Sequence, residues 1–229
     1  MTGLCQPRDL RRPVARLEVP PEPAPRLEVP PEPAPRLEPR ALRVGLLGGS
    51  FNPAHDGHRY VSLEALKRLA LDQVWWLVSP QNPLKAAAGM APLAERLAAA
   101  RAVARHPRLK VLALETRLGT RYTADTLTRL ASWPGHRFVW LMGADNLGQL
   151  PRWWKWRGIM AGCPVAVFER HPYSYAALAG PVARGYAAAR VPEARADELA
   201  QAAPPAWTFV RMRPHPASAT AIRAGRGAG

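Results

Sequence analysis

The stretch Gly48-Gly49-Ser50-Phe51-Asn52-Pro53-Ala54-His55-Asp56-Gly57-His58 follows a short apolar run, Leu42 to Leu47, and precedes a helical pattern from about Gly57 to Ala70. The run reads as a buried strand. Paired glycines after a strand let the backbone approach a ligand closely, and the following helix offers its N-terminal amides to an anion. His55 and His58, three residues apart, reach the same space at or just before the first helical turn. A phosphate is the natural occupant of such a site. Zinc binding by HxxH needs a third and fourth ligand, and the other cysteines and histidines are scattered. A pair of histidines that merely caps a surface helix leaves the Gly-Gly, Phe51 and Pro53 unexplained.

Working outward, the first forty residues differ in kind from the rest. Arg16 to Pro25 reads RLEVPPEPAP, Arg26 to Pro35 repeats it, and a third copy from Arg36 stops at Pro39. A period so rich in proline has few side chains to bury, so residues 1–40 are expected to be a disordered extension of polyproline II character. It has no hydrophobic face to stack as a solenoid. Residues 41–229 are expected to form the folded domain.

The whole chain has 229 residues and a net charge of +15. The extension carries seven arginines against six acids, which leaves about +14 for the remainder. Such a balance suits a phosphate-rich ligand. The arginines are dispersed along amphipathic helices without a dense basic run, so no nucleic-acid partner is expected. No apolar h-region follows the early arginines, and no run of about eighteen apolar residues occurs, so neither a secretory signal nor a membrane span is expected. Only Cys5 and Cys163 are present. That is no disulfide framework, and it suits a reducing cytoplasm.

Beyond Gly48 strand-like and helix-like segments alternate. Strands are expected at Gln73 to Val78, Leu109 to Leu114, Phe138 to Met142, Val165 to Phe168 and Trp207 to Met212. Helices are expected at Leu93 to Arg105 and Thr123 to Ala131, and part of Gly180 to Ala203 also reads as helical. Short strands separated by helices indicate βαβ units and a mostly parallel sheet covered on both faces. Ligands on such sheets sit outside the carboxyl ends of the strands.

Four further segments carry candidate groups. Pro80-Gln81-Asn82-Pro83-Leu84-Lys85 puts a lysine in a proline-stiffened loop. Arg121-Tyr122-Thr123 precedes a helix that Thr123 could cap. Gly143-Ala144-Asp145-Asn146 follows a strand, with Trp153, Trp154 and Trp156 close behind. Ser218-Ala219-Thr220-Ala221-Ile222-Arg223 offers hydroxyls and an arginine around a helix N-terminus, a second anion site. Each alone has a plainer reading: an exposed charge, a helix cap or a core aromatic.

Taken in order, GGSFNPAHDGH, PQNPLK, ERLAAARA, RYTADTL, GADNLGQLPRWW and SATAIR resemble the bacterial nicotinate mononucleotide adenylyltransferases of the HxGH nucleotidylyltransferase superfamily, over nearly all of Leu42 to Arg223. The resemblance implies a Rossmann-like, doubly wound α/β domain with a small C-terminal helical part. It implies transfer of the adenylyl group of ATP to nicotinate mononucleotide, giving deamido-NAD and pyrophosphate, with magnesium accompanying ATP. By the same resemblance Gly48, Gly49, Ser50 and Phe51 would line the ATP site, and His55 and His58 would contact its phosphates. Ser218, Thr220 and Arg223 would hold the triphosphate from the other side, with Lys85 nearby. Asp145 would bond a ribose, the Tyr122-Thr123 turn would meet the nicotinate carboxylate, and Trp153 would stack on the pyridine ring. His58 would be the principal stabiliser of the α-phosphate, sharing its load with His55, Lys85 and Arg223. No protein metal ligands are implied.

The chain departs from the usual pattern at Ser50, where threonine is common, at Asn52, where aspartate is common, and at Ala217, where isoleucine usually precedes the serine. Two relatives on the same scaffold compete. A phosphopantetheine adenylyltransferase usually lacks the first histidine and the tryptophan after the Asp145-type loop. A preference for the amide mononucleotide turns on a few contacts at Tyr122-Thr123. A non-catalytic nucleic-acid binder drawn by charge alone predicts steeply salt-dependent binding and no turnover.

Overall fold

The computed structural model describes residues 41–80, 89–213 and 215. Six strands form one parallel sheet: β1 (Leu42–Gly49), β2 (Gln73–Val78), β3 (Leu109–Leu112), β4 (His136–Gly143), β5 (Val165–Phe168) and β6 (Trp207–Val210). Their order across the sheet is β3-β2-β1-β4-β5-β6. Every pairing is parallel, with Leu46 beside Trp75 on one side and Leu47 beside Leu141 on the other. The strand order reverses between β1 and β4, so the crevice of a doubly wound sheet opens outside the carboxyl ends of those two strands.

The strands are legible as apolar runs because both faces are covered. Leu46, Trp75, Leu77, Trp140 and Met142 point into one layer, whereas Leu47, Trp76, Val78, Val139 and Leu141 point into the other. Successive side chains of a strand alternate in this way. The first layer packs under α4 (Thr123–Leu130), α5 (Ala144–Gln149) and α6 (Trp156–Gly162). The second packs under α1 (Asp56–Arg68), α2 (Leu93–Val103) and the 3-10 segment Glu193–Gln201. Buried Ser62 locks α1 to the sheet: its hydroxyl donates to the His58 carbonyl and accepts from Trp76 Nε1, both at 2.8 Å.

Several boundaries differ from expectation. The third strand stops at Leu112, and Leu114 opens a one-turn helix, α3 (Leu114–Leu118). The last strand stops at Val210. Gly180 to Ala203 is partly helical as expected, with α8 (Pro181–Gly185) following α7 (Ser174–Leu178). Neither Thr123 nor Asp145 is a cap. Tyr122 and Gly143 occupy those positions, and neither helix start has a side-chain cap bond. The expected C-terminal helical part and the 1–40 extension lie outside the described residues. No helix among the described residues is long and apolar enough to cross a membrane.

Candidate nucleotide site

The chain leaves β1 through Gly48 and Gly49 and turns at Phe51, whose φ of +47° lies in the left-handed region. A bulky residue held there stores strain, and such strain tends to persist where the surroundings over-determine the backbone. Those surroundings are aromatic. The Phe51 ring is 2% exposed, stacks on Trp76 at 5.0 Å and lies 4.8 Å from the ring of His58. Phe51 therefore supports His58 from below. What it can offer a ligand is its backbone rather than its ring.

His55 is the N-cap of α1, and His58 is the third residue of its first turn. His55 Nδ1 accepts from the Gly57 N–H at 3.1 Å, and His58 Nδ1 accepts from the His55 N–H at 3.2 Å. The rings converge, with centroids 3.9 Å apart. An Nδ1 that accepts carries no proton, so the neutral rings hold their protons on Nε2. Capping and ligand binding are thus tasks for different atoms: Nδ1 closes the helix, and the ring proton sits on Nε2. Burial pushes the His55 pKa down to about 4, with the charges of Arg170 and His215 acting in the same direction and Asp56 opposing. His55 is neutral at pH 7 in the free protein.

At the end of β4, Asp145 faces Arg170, with Oδ2 3.2 Å from Nη1. Its Oδ1 is buried and has no hydrogen-bond partner among the described residues. The oxygen folds back over Gly143, where a Cβ would come within 2.5 Å of it. An unfilled acceptor at the crevice suits a hydroxyl donor such as a ribose. A hollow of about 250 Å³ opens beside Asp145, lined also by Ala144, Gly148, Tyr173 and Ala177. Another, about 210 Å³, lies at the opposite edge of the sheet beside His136, Phe138 and Cys163. It contains none of the groups just described, and a buried Cys163 thiol pushed up to about 12 is inert there.

A third cluster forms where α4 begins. Tyr122 lies 5.6 Å from the ring of Trp154, which is 54% exposed, and Arg121 and Lys155 sit over the two rings. Trp153 is half-buried and packs against the core. The free first-turn amides of α4 favour a negative group.

The structure thus brings His55, His58 and Phe51 together, sets Asp145 at the same edge, and places Tyr122 beside Trp154. Lys85, Ser218, Thr220 and Arg223 lie outside the described residues. The sequence motifs leave out Arg170 and His215, and they name Trp154 without giving it a role. Arg170 was findable, because it follows β5 as Asp145 follows β4. His215, whose ring is 5.4 Å from that of Tyr60, had no motif to mark it. No cluster of three or more histidine, cysteine or acidic side chains able to cage a metal ion occurs among the described residues.

Comparison with known proteins shows the family. Residues 46–225 match the Cytidylyltransferase-like family. A protein of Bradyrhizobium sp. (strain BTAi1) named "Probable nicotinate-nucleotide adenylyltransferase" is 54% identical over 183 residues, covering 80% of this chain and 95% of that one. One of the same name from Cereibacter sphaeroides is 56% identical over 182 residues, covering 79% and 96%. The Plasmodium falciparum nicotinic acid mononucleotide adenylyltransferase complexed with NaAD shares the fold, with a TM-score of 0.60, 13% identity and coverage of 80% and 83%. With these matches spanning the strands and loops that build the site, the chain belongs to the nicotinate-nucleotide adenylyltransferase family.

Proposed function

We propose that this protein transfers the adenylyl group of ATP to nicotinate mononucleotide, releasing pyrophosphate and forming deamido-NAD. The observation that carries this reading is the reciprocal histidine pair, whose Nδ1 atoms both accept main-chain N–H bonds and so put the ring protons on Nε2 at the mouth of α1. Phosphoryl-type transfer needs little from a protein beyond positioning and charge neutralisation. The mononucleotide phosphate attacks the α-phosphorus of ATP in line, and pyrophosphate leaves. His58 donates to the α-phosphate, and His55 donates beside it. Gly48, Gly49, Ser50 and the Phe51 backbone line the adenylate side. Asp145 accepts from a ribose hydroxyl through its unfilled Oδ1. Arg170 adds positive charge beside the phosphates. The Tyr122-Thr123 amides receive the nicotinate carboxylate, and Trp153 and Trp154 flank the pyridine ring.

Lys85, Ser218, Thr220 and Arg223 complete the phosphate grip in this reading. Magnesium would accompany ATP, and the chemistry it would supply is charge neutralisation on the phosphates. Residues 41–229 are the catalytic domain, 1–40 an extension, and the enzyme works in the cytoplasm on small nucleotides rather than nucleic acid.

The test is a substrate panel: ATP with nicotinate mononucleotide, its amide or phosphopantetheine, following pyrophosphate release. Nicotinate mononucleotide is expected to turn over fastest. Fast turnover of phosphopantetheine alone would overturn the assignment.

A further inference from the structure

We propose that Arg96 is a positioning residue for the histidine pair: its buried guanidinium ties the Ser50–Asn52 loop to the ends of β2 and α2, and so fixes the platform under His58. The proposal rests on the adenylyltransferase reading for its catalytic consequence, and on hydrogen-bond geometry for its structural one.

Arg96 is the fourth residue of α2 and is 3% exposed. No carboxylate pairs with it among the described residues. Nε donates to the Ala91 carbonyl at 2.8 Å, Nη1 to those of Ser50 and Ser79 at 2.7 and 2.8 Å, and Nη2 to that of Pro80 at 2.9 Å. Four carbonyls from three separate stretches of chain converge on one planar cation. A buried charge is costly unless its donors are filled, and here four of the five N–H groups are. Burial also pulls the Arg96 pKa below its ordinary value.

Asn52 makes a second tie between the same stretches. Its Nδ2 donates to the Gly89 carbonyl at 2.9 Å, and its Oδ1 accepts from the Ala91 N–H at 3.3 Å. This explains the departure at position 52, because an aspartate could accept from Ala91 but could not donate to Gly89. Ser50 and Asn52 are thus both anchored, one on each side of Phe51. Between them Phe51 is held left-handed, its ring wedged between Trp76 and His58. The path from Arg96 to His58 is continuous: guanidinium, Ser50 carbonyl, Phe51 ring, imidazole. Lysine could keep the charge but could not fork to four carbonyls.

The experiment compares Arg96→Lys, Arg96→Gln and Asn52→Ala with wild type. It measures kcat and KM for ATP, thermal unfolding, and amide hydrogen exchange at residues 50–58. Arg96→Lys is expected to lower kcat about tenfold or more through misplacement of the histidines, with KM for ATP within about threefold. Exchange at 50–58 is expected to quicken at temperatures where the sheet stays protected. Arg96→Gln loses the charge as well and should also raise KM. Asn52→Ala, which disturbs no buried charge, should show the same pattern more weakly and decides the question if the Arg96 variants do not fold. Lower thermal stability with kcat unchanged would mean that Arg96 is only structural, and unchanged exchange at 50–58 would break the proposed path. If wild type shows no adenylyl transfer, the functional reading fails while the exchange data still judge the tie.

Discussion

The ring of His58 accepts the main-chain N–H of His55 at 3.2 Å, while the ring of His55 accepts that of Gly57 at 3.1 Å. One pair of side chains therefore closes the helix and, in the proposed reading, also faces the ligand. The two tasks use different atoms and can be separated by substitution. In His58→Asn the amide oxygen can still accept from a nearby N–H, so stability should change by less than about 1 kcal/mol. His58→Ala should lose about 0.5–2 kcal/mol of capping. Both should lower kcat by at least about a hundredfold, as expected for loss of a preorganised donor to developing charge. Denaturant melts and steady-state kinetics on the same preparations check this, and near-normal turnover in either variant would remove His58 from its role.

Asp145 gives a different signature. Its pairing with Arg170 is half-exposed on the arginine side, so the pair should be worth less than about 1 kcal/mol of stability. Its Oδ1 is buried without a partner among the described residues, and in the proposed reading it takes a ligand hydroxyl. Asp145→Ala should leave the melting curve nearly unchanged and raise KM for the mononucleotide about tenfold or more, the usual scale for a hydrogen bond to a charged group. Kinetics at saturating ATP measure it. An unchanged KM would place the ribose elsewhere.

Much of this was legible in the sequence for a plain physical reason. A parallel sheet covered on both faces makes its strands continuous apolar runs, so β1, β2, β4 and β5 announce themselves, and the glycine-histidine loop marks where the first one ends. The short helices α3 and α7 did not show, because a single turn has no periodicity to detect. Arg96 was invisible for a related reason. On a helix rich in alanine and arginine, nothing local separates an arginine in water from one that gathers four carbonyls across the sheet edge. That Trp153 is half-buried against the core while Trp154 is exposed could be read only from the fold.

Two buried titrating groups should tilt stability in opposite directions with pH. Glu115 is 5% exposed, its Oε2 lacks a partner among the described residues, and burial pushes its pKa from 4.5 to about 7. Between those values the folded state holds more protons than the unfolded one, so stability falls as pH rises through the window. A shift of that size corresponds to about 3 kcal/mol. Glu115→Gln cannot titrate. Its stability relative to wild type should therefore improve by about 3 kcal/mol between pH 4.5 and 8, as read from urea melts across that range. A constant difference would show that the carboxyl is already ionised.

His55 works the other way. Its pKa falls from 6.5 to about 4 on folding, chiefly through burial. The unfolded state binds more protons in that window, so the contribution is complete above pH 6.5 and is lost as pH falls towards 4. His55→Asn keeps a good N-cap and removes the titration. Relative to wild type it should gain stability as the medium is acidified from pH 7 to 4, and it should differ little at pH 7. A gap that stays constant across those melts would mean that the ring titrates normally.

The two glycines at the end of β1 make a crossed pair of expectations. A Cβ on Gly48 would collide with the indole of Trp140, which is buried in the core, whereas one on Gly49 would find its nearest neighbour, Phe51, at 3.4 Å. The first glycine is therefore small because of the protein behind it, and the proposed reading makes the second small because of the ligand in front. Gly48→Ala should lose about 1–3 kcal/mol through overpacking. Gly49→Ala should stay within about 0.5 kcal/mol of wild type, since no neighbour has to move. Only Gly49→Ala should raise KM for ATP in proportion to its loss of kcat/KM, because its methyl stands where the backbone meets the nucleotide. If Gly49→Ala binds ATP normally, the close approach assigned to this loop is wrong, however well the histidines behave.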